Sequence, residues 1–267
     1  DFVGKIFLGE ILQAANRGVK VKIIIDGKYN KISGLIKDYL YALIIHPNIE
    51  VKLYEPFKVL KPWTINNFLH DKILIIDNKY GMISGRNIGN RYFLEDVNNN
   101  VYDLDTIIIN TSSDKSDSLR EMQDYFFYMW NHKYCVKTKK INKNKISKGR
   151  KKQQLLIDNL ENTRKINKEL FEVNFDWEEL SVPVNKITLV YNPLERFNKT
   201  PLVWLAIANL INNAKNNVFI NSPYIVPTKE IANKLETNKL SAVEINVLTN
   251  SAGSTPNILA FSGYLRY

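Results

Sequence analysis

His70, Lys72 and Asn87 are the residues whose types and spacing could do chemistry. They lie in His70-Asp-Lys72-Ile-Leu-Ile-Ile-Asp77 and in Ser84-Gly85-Arg86-Asn87-Ile-Gly89-Asn-Arg-Tyr-Phe93, a few positions on. On a strand of period two, His70 and Lys72 point to the same face. An imidazole so placed can attack phosphorus or move a proton near neutral pH. The ammonium beside it can hold non-bridging oxygens and stabilise transition-state charge, the role a metal ion plays elsewhere. Asn87 adds a neutral donor. Asp77 has the opposite parity, so ideal-strand geometry does not place it against the reacting atoms. Alone, His-x-Lys is also what a half-exposed sheet edge presents by chance; the extended pattern carries the weight.

These residues need elements to position them. Residues 2–16 form an amphipathic pattern stopped by Gly18 in the manner of a helix C-cap. The β-branched run 19–26 reads as a buried strand, followed by a helix over 33–45 and a strand over 49–54. Pro56 and Pro62 mark a loop. Strands at 69–76 and 80–84 are joined by an Asn78-Lys79 turn; a strand at 105–110 and a helix at 116–130 follow. Further on, the pattern predicts helices at 153–171, 201–213 and 228–235, and strands at 187–191, 218–221 and 243–248. Strands alternating with helices imply an α/β fold with covered sheet faces.

The net charge of +10 is concentrated in one place. Between Lys133 and Lys152 stand ten Lys or Arg and no acid, and the rest of the chain balances 27 basic against 27 acidic residues. That distribution argues against a fold-wide nucleic-acid surface. The basic run reads first as a solvated linker between two halves, next as a contact for anionic lipid, and last as a nucleic-acid contact. The single cysteine, Cys135, excludes a disulfide framework. The expected organisation is residues 1–132 as a first lobe, 133–174 as a basic linker and connecting helix, and 175–267 as the start of a second lobe.

His-x-Lys-x4-Asp followed by Gly-x-Asn resembles the HKD motif of the phospholipase D superfamily. Gly-Arg-Asn-Ile-Gly-x-x-Tyr-Phe is similar to the bacterial cardiolipin synthase-like branch, in its form without transmembrane helices. Ala14-Ala15-Asn16-Arg17-Gly18-Val19-Lys20-Val21, Asp103-Leu104-Asp105, Ser222-Pro223-Tyr224-Ile225-Val226-Pro227, Leu248-Thr249-Asn250-Ser251 and Gly263-Tyr264 resemble further segments of that branch. The resemblance implies two related lobes, each a mixed sheet flanked by helices. It also implies phosphatidyltransferase or phospholipase D-type chemistry through a phosphohistidine, with cardiolipin made from phosphatidylglycerol as the leading reading. A nuclease of the same fold, or a fragment that only binds, are the alternatives.

On this resemblance His70, Lys72 and Asp77 make up the catalytic set, with His70 favoured as nucleophile over general acid and Asp77 as its orienting or structural member, and Lys72 and Asn87 bind phosphate. Asp103 and Asp105 are candidate supports of a catalytic histidine, and Tyr224 is a candidate cleft residue. No cofactor or metal is implied. The implied partners are a phospholipid substrate and an anionic membrane surface, at the bacterial inner membrane or in the cytoplasm.

Two departures stand out. The hydroxyl of Ser84 sits one place earlier than the serine of family members with Gly-Ser-x-Asn. The family's site also uses a second HKD motif, and the only other histidines, His46 and His132, do not begin one. The half-to-half similarity of 18–26 with 241–250 places a counterpart of His70 at position 294, past Tyr267. Both lobes are accordingly expected to be incomplete, with the second HKD half in a missing C-terminal region. Packing is the favoured role for Trp63 and Phe68, with acyl-chain contact as the alternative. Arg86 reads equally as a packing residue or a ligand.

Overall fold

A computed structural model describes residues 1–28, 34–58, 60–64, 67–94, 100–111, 117–195, 199–225, 233–235, 243–251 and 253. The chain divides into two compact units, Asp1–Thr188 and Leu189–Tyr267. Both mix helices with small sheets, so the α/β class holds.

In the first unit, helix α1 (Phe2–Asn16) leads into strand β1 (Val21–Asp26), and α2 (Gly34–Ile44) leads into β2 (Ile49–Tyr54). Gly18 makes the turn after α1 with φ of 101°, a conformation that favours glycine. β1 and β2 pair in parallel with Val21 opposite Ile49 and Ile23 opposite Val51, so their β-branched side chains share one face. That face packs under Leu12 and Ala15 of α1 and Ala42 and Leu43 of α2.

The second sheet is antiparallel and runs β3 (Ile73–Ile76), β4 (Tyr80–Ser84), β5 (Asp105–Ile109). Asp77 and Asn78 turn between β3 and β4 with φ of 50° and 53°, and Lys79 N–H closes on Ile76 O at 2.9 Å. Asp and Asn tolerate that left-handed geometry better than other side chains. A short helix, α3 (Asn90–Phe93), separates β4 from β5. Helix α4 (Asp117–Asn131) crosses β4 where Gly81 leaves room: a Cβ there would stand 2.5 Å from Leu119 and 2.9 Å from the Met122 sulfur. Leu119, Met122, Tyr125 and Met129 form the buried stripe of that helix.

The basic run departs from its expected character as a linker. Cys135–Lys137 forms β6, which pairs antiparallel with β2 at the edge of the first sheet. Lys143–Ile166 forms a 24-residue helix, α5, capped by Asn142. Its buried face is Gly149, Leu156, Leu160 and Thr163, positions that stack on one side of a helix. Leu156 belongs to the core of α1, α2 and β2. Two glycines permit the approach. A Cβ on Gly149 would lie 3.0 Å from the Tyr41 backbone, and one on Gly9 would lie 3.0 Å from Leu156 O. Arg164 adds a clamp on α1, donating to both Glu10 carboxylate oxygens and to Gln13 Oε1. Lys143, Lys148 and Lys151 are exposed, while Lys145 and Lys152 lie over the Tyr41 and Tyr39 rings of α2, so the charge density reports the surface of a packed helix rather than a flexible connection.

After α6 (Lys168–Phe171), residues 187–191, expected as a strand, carry no regular secondary structure among the described residues. The second unit contains α7 (Leu202–Asn212), β7 (Asn217–Asn221) and β8 (Glu244–Leu248), the two strands pairing in parallel. Leu194, Ala208 and Ile211 are its buried apolar residues among those described. The helix expected at 228–235 and Gly263-Tyr264 lie largely or wholly outside the described residues.

Because Leu156 is fully buried, Leu156→Ala is expected to cost about 2–5 kcal/mol by denaturant unfolding. Unchanged stability would mean that α5 is not part of the core.

Candidate active site

The site is built at one end of the second sheet. Ser84 N–H donates to Lys72 O at 3.0 Å, which carries the β3–β4 ladder one step beyond β3. Continuing the register sets residues 70–72 beside 84–86. Strand β3 begins later than the pattern 69–76 predicts, because the segment ahead of it is held by side chains instead. Asp26, buried at the end of β1, accepts from Leu69 N at 2.7 Å and from Lys28 N at 2.8 Å. Tyr125 of α4 donates to the Asp71 carboxylate. The residues before and after His70 are thus fixed from two different elements, while His70 itself is exposed.

Lys72 is half-buried, and its Nζ donates to His70 O at 2.7 Å. The ammonium therefore rests on the His70 backbone carbonyl, in a segment that lies ahead of strand β3. Burial pulls the Lys72 pKa below the ordinary lysine value, and Asp71 and Asp103 act against that pull. Asn87 is exposed, and its Nδ2 donates to the Tyr92 hydroxyl at 2.8 Å, which orients the carboxamide.

Arg86 resolves as a structural clamp. Its Nη1 donates to Tyr92 O and its Nη2 to Asp103 O, both at 2.7 Å, and its Nε pairs with Asp105 Oδ2 at 2.9 Å. The guanidinium also lies over the Phe93 ring at 5.5 Å. Ser84 donates to Asp105 Oδ1 at 2.5 Å and accepts from Arg86 N at 2.9 Å. Asp105 is therefore committed to Ser84 and Arg86. Asp103 lies against Gly85, where a Cβ would meet its Oδ1 at 2.1 Å, and it acts electrostatically on Lys72. Among the described residues neither carboxylate is hydrogen-bonded to His70.

The structure thus links Lys72 to the His70 carbonyl and to the field of Asp103, while Asn87 is held by Tyr92 and Asp105 by Ser84 and Arg86. It does not bring Asp77 to them. Asp77 sits in the exposed β3–β4 turn, about 16 Å of strand from Lys72 at ~3.3 Å per residue. Tyr224 follows β7 in the second unit, with its carbonyl accepting from Ser222 Oγ at 3.0 Å. Trp63 and Phe68 do not pack into the core as favoured above: they are 67% and 51% exposed.

The other histidines are structural. His46 lies between Asn16 Oδ1 at 3.0 Å and Asn48 N–H at 3.1 Å, and His132 rests edge-on to Tyr134 at 4.4 Å between centroids. Burial raises the Cys135 thiol to about 11, so it is no ready nucleophile. Among the described residues no three His, Cys, Asp or Glu side chains converge as a metal site.

Asp26, Asp71 and Tyr125 are positioning residues that the spacing argument missed. Asp26 carried one signal, a carboxylate at the carboxyl end of an apolar strand, where open α/β sheets collect their functional groups. Asp26→Ala would leave two partly buried N–H donors, those of Lys28 and Leu69, without this acceptor and is expected to cost about 1–3 kcal/mol. It should also speed amide exchange at Leu69; wild-type protection there would show that the carboxylate does not hold the segment.

Residues 2–130 match the domain described as "Cardiolipin synthase, PLD-like domain". An uncharacterized protein of Helicobacter pylori is 31% identical across the whole chain, which covers 55% of that relative. Cardiolipin synthase C of Escherichia coli is 24% identical, again across the whole chain and over 59% of the relative. A cardiolipin synthase of Clostridium perfringens is 26% identical over 93% of the chain and 44% of the relative. The chain therefore spans about half the length of these relatives. No helix among the described residues is long and apolar enough to cross a membrane. The His70 motif thus lies within residues 2–130, which match the cardiolipin synthase PLD-like domain, and the chain as a whole is similar to proteins named cardiolipin synthase.

Proposed function

We propose that His70 is the nucleophile of a phosphatidyl-transfer reaction, with phosphatidylglycerol as donor and cardiolipin as product. The reading rests on one observation: the Lys72 ammonium beside an exposed His70, in a domain of the cardiolipin synthase type. An imidazole nitrogen attacks phosphorus, the bond to the departing alcohol oxygen breaks, and a phosphohistidine forms. Lys72 and Asn87 bind the non-bridging oxygens, and Lys72 neutralises charge as the five-coordinate phosphorus develops. A glycerol hydroxyl of a second phosphatidylglycerol then attacks phosphorus and restores the imidazole. Asp77 supports the turn rather than the reaction, and Asp103 acts through Lys72. The proposed setting is an anionic membrane surface, with the protein peripheral to it.

Two roles are required at the departing and entering oxygens, a proton donor and then a proton acceptor. His46 and His132 are held elsewhere, so the second imidazole of the family mechanism is proposed to come from another HKD half. The chain incubated with phosphatidylglycerol by itself is therefore expected to yield no cardiolipin by lipid chromatography. Turnover that vanishes in His70→Ala would show that one imidazole suffices.

The nucleophilic half can be read separately with an ester whose leaving group needs no acid. Phosphatidyl-p-nitrophenol is expected to release p-nitrophenolate in a burst no larger than the enzyme concentration, with a phosphatidyl adduct on His70 by mass spectrometry. His70→Ala should abolish the burst, and Lys72→Gln should slow it roughly 10²–10³-fold. A burst that survives in His70→Ala would overturn the assignment. Faster reaction with the nucleotide ester thymidine p-nitrophenyl phosphate would favour the nuclease reading instead.

A further inference from the structure

A cleft of about 880 Å³ lies in the first unit between the α2–β2 connection, strands β2 and β6, and the start of α5. None of its lining residues belongs to the segment that carries the His70 site. Its volume is in the ordinary range for a small-molecule pocket, ~300–1,000 Å³.

The lining carries two kinds of chemistry. It holds Lys52, Lys137, Lys139, Lys140 and Arg150 against a single carboxylate, Glu50. Glu50 is already ion-paired with Lys22, whose hydrogen bond, aided by Lys137 and Lys52, keeps its carboxyl below the usual glutamate range. Lys52 is anchored on Trp130, donating to its carbonyl at 2.7 Å and lying 4.6 Å from its ring centroid. Lys139, Lys140 and Arg150 are exposed and have no ion pair among the described residues. His46 adds no charge: its Nδ1 accepts from Asn48 N–H, which leaves Nε2–H to donate to Asn16. The lining also holds apolar side chains, Ile44, Ile45, Ile141 and Ile146.

Clustered cations alone would suit any phosphate. The isoleucines select among phosphates, because a hydrophilic ion would leave them in contact with water while an amphiphile would cover them. We propose that this cleft is a second lipid site, which takes the phosphodiester headgroup of an anionic glycerophospholipid. Lys139, Lys140 and Arg150 meet the phosphate oxygens, and the isoleucines meet the glycerol ester end. The proposal does not depend on the chemistry assigned to His70.

The test is calorimetric titration of the full chain with monomeric dihexanoyl phosphatidylglycerol. It uses a His70→Ala/Lys72→Gln background so that the first site does not contribute. Saturable binding is expected, with none for dihexanoyl phosphatidylcholine and none for inorganic phosphate at the same concentrations. Lys139→Gln/Lys140→Gln/Arg150→Gln should weaken it by roughly tenfold or more. Lys148→Gln/Lys151→Gln/Lys165→Gln removes equal charge outside the cleft and should change it less than about threefold. Equal loss in the two triple variants, inorganic phosphate binding as well as the lipid, or no lipid binding would each overturn the proposal. If the cleft variant shows altered circular dichroism, Lys139→Gln/Lys140→Gln, confined to the exposed loop before α5, decides in its place.

Discussion

The buried carboxylate of Asp26 is the constraint on which the arrangement of the first unit turns. It stands at the end of β1, in the parallel sheet, yet accepts from Leu69 N–H just ahead of His70. A charge taken out of water is costly unless hydrogen-bonded, and Asp26 is satisfied by two backbone donors, Leu69 and Lys28. Those bonds tie the first sheet to the segment that feeds the second. The Tyr125–Asp71 bond makes the same connection from α4. His70 is left exposed between two fixed neighbours, so a flexible approach to the strand becomes a defined one.

The charged side chains around this segment divide into structural and available groups. Arg86 is spent on two carbonyls and Asp105, although its position beside Asn87 suggests a ligand. The Arg86–Asp105 pair, 27% and 26% exposed, contributes ~0–1 kcal/mol by itself. Its larger effect is geometric, since the same guanidinium fixes the carbonyls of Tyr92 and Asp103 and with them the turn that carries Asn87. Lys72 is different. Burial favours its neutral form, and the carboxylates of Asp71 and Asp103 offset that preference. The result is a cation already partly stripped of water, with its countercharges at a distance rather than in contact. That condition suits binding to a phosphate.

Much of this was legible in the sequence. The alternation of helices and strands up to residue 131 and a tight turn between β3 and β4 follow from periodicity and turn chemistry. The parity argument also separated Asp77 from the site, and its place in the turn agrees. What escaped was long-range. Nothing in local spacing says that Asp26 reaches Leu69, 43 positions away, or that Tyr125 reaches Asp71. The basic run misled for a related reason. Charge density over 133–152 describes only the surface, whereas Gly149, which looks like a helix breaker, is the position that lets α5 lie against Tyr41. A glycine at a close helix contact and a glycine in a linker are identical in sequence and opposite in meaning.

Under the proposed reaction, an alkyl phosphodiester asks for more than His70 and Lys72. An alkoxide leaves poorly, so the departing oxygen must receive a proton as the bond breaks. In the first unit the titratable groups at the sheet end are His70 itself, Lys72, and carboxylates already engaged: Asp105 with Arg86 and Ser84, Asp71 with Tyr125. Asp103 is engaged as well, accepting from the Leu104 N–H and acting on Lys72. Lys72 is needed as a cation on the non-bridging oxygens, and giving up its proton would remove the charge that stabilises the transition state. The group best suited to the missing step is one that titrates near neutral pH and stands across the phosphorus from His70. A second imidazole meets both conditions, which supports the proposal that another HKD half supplies it.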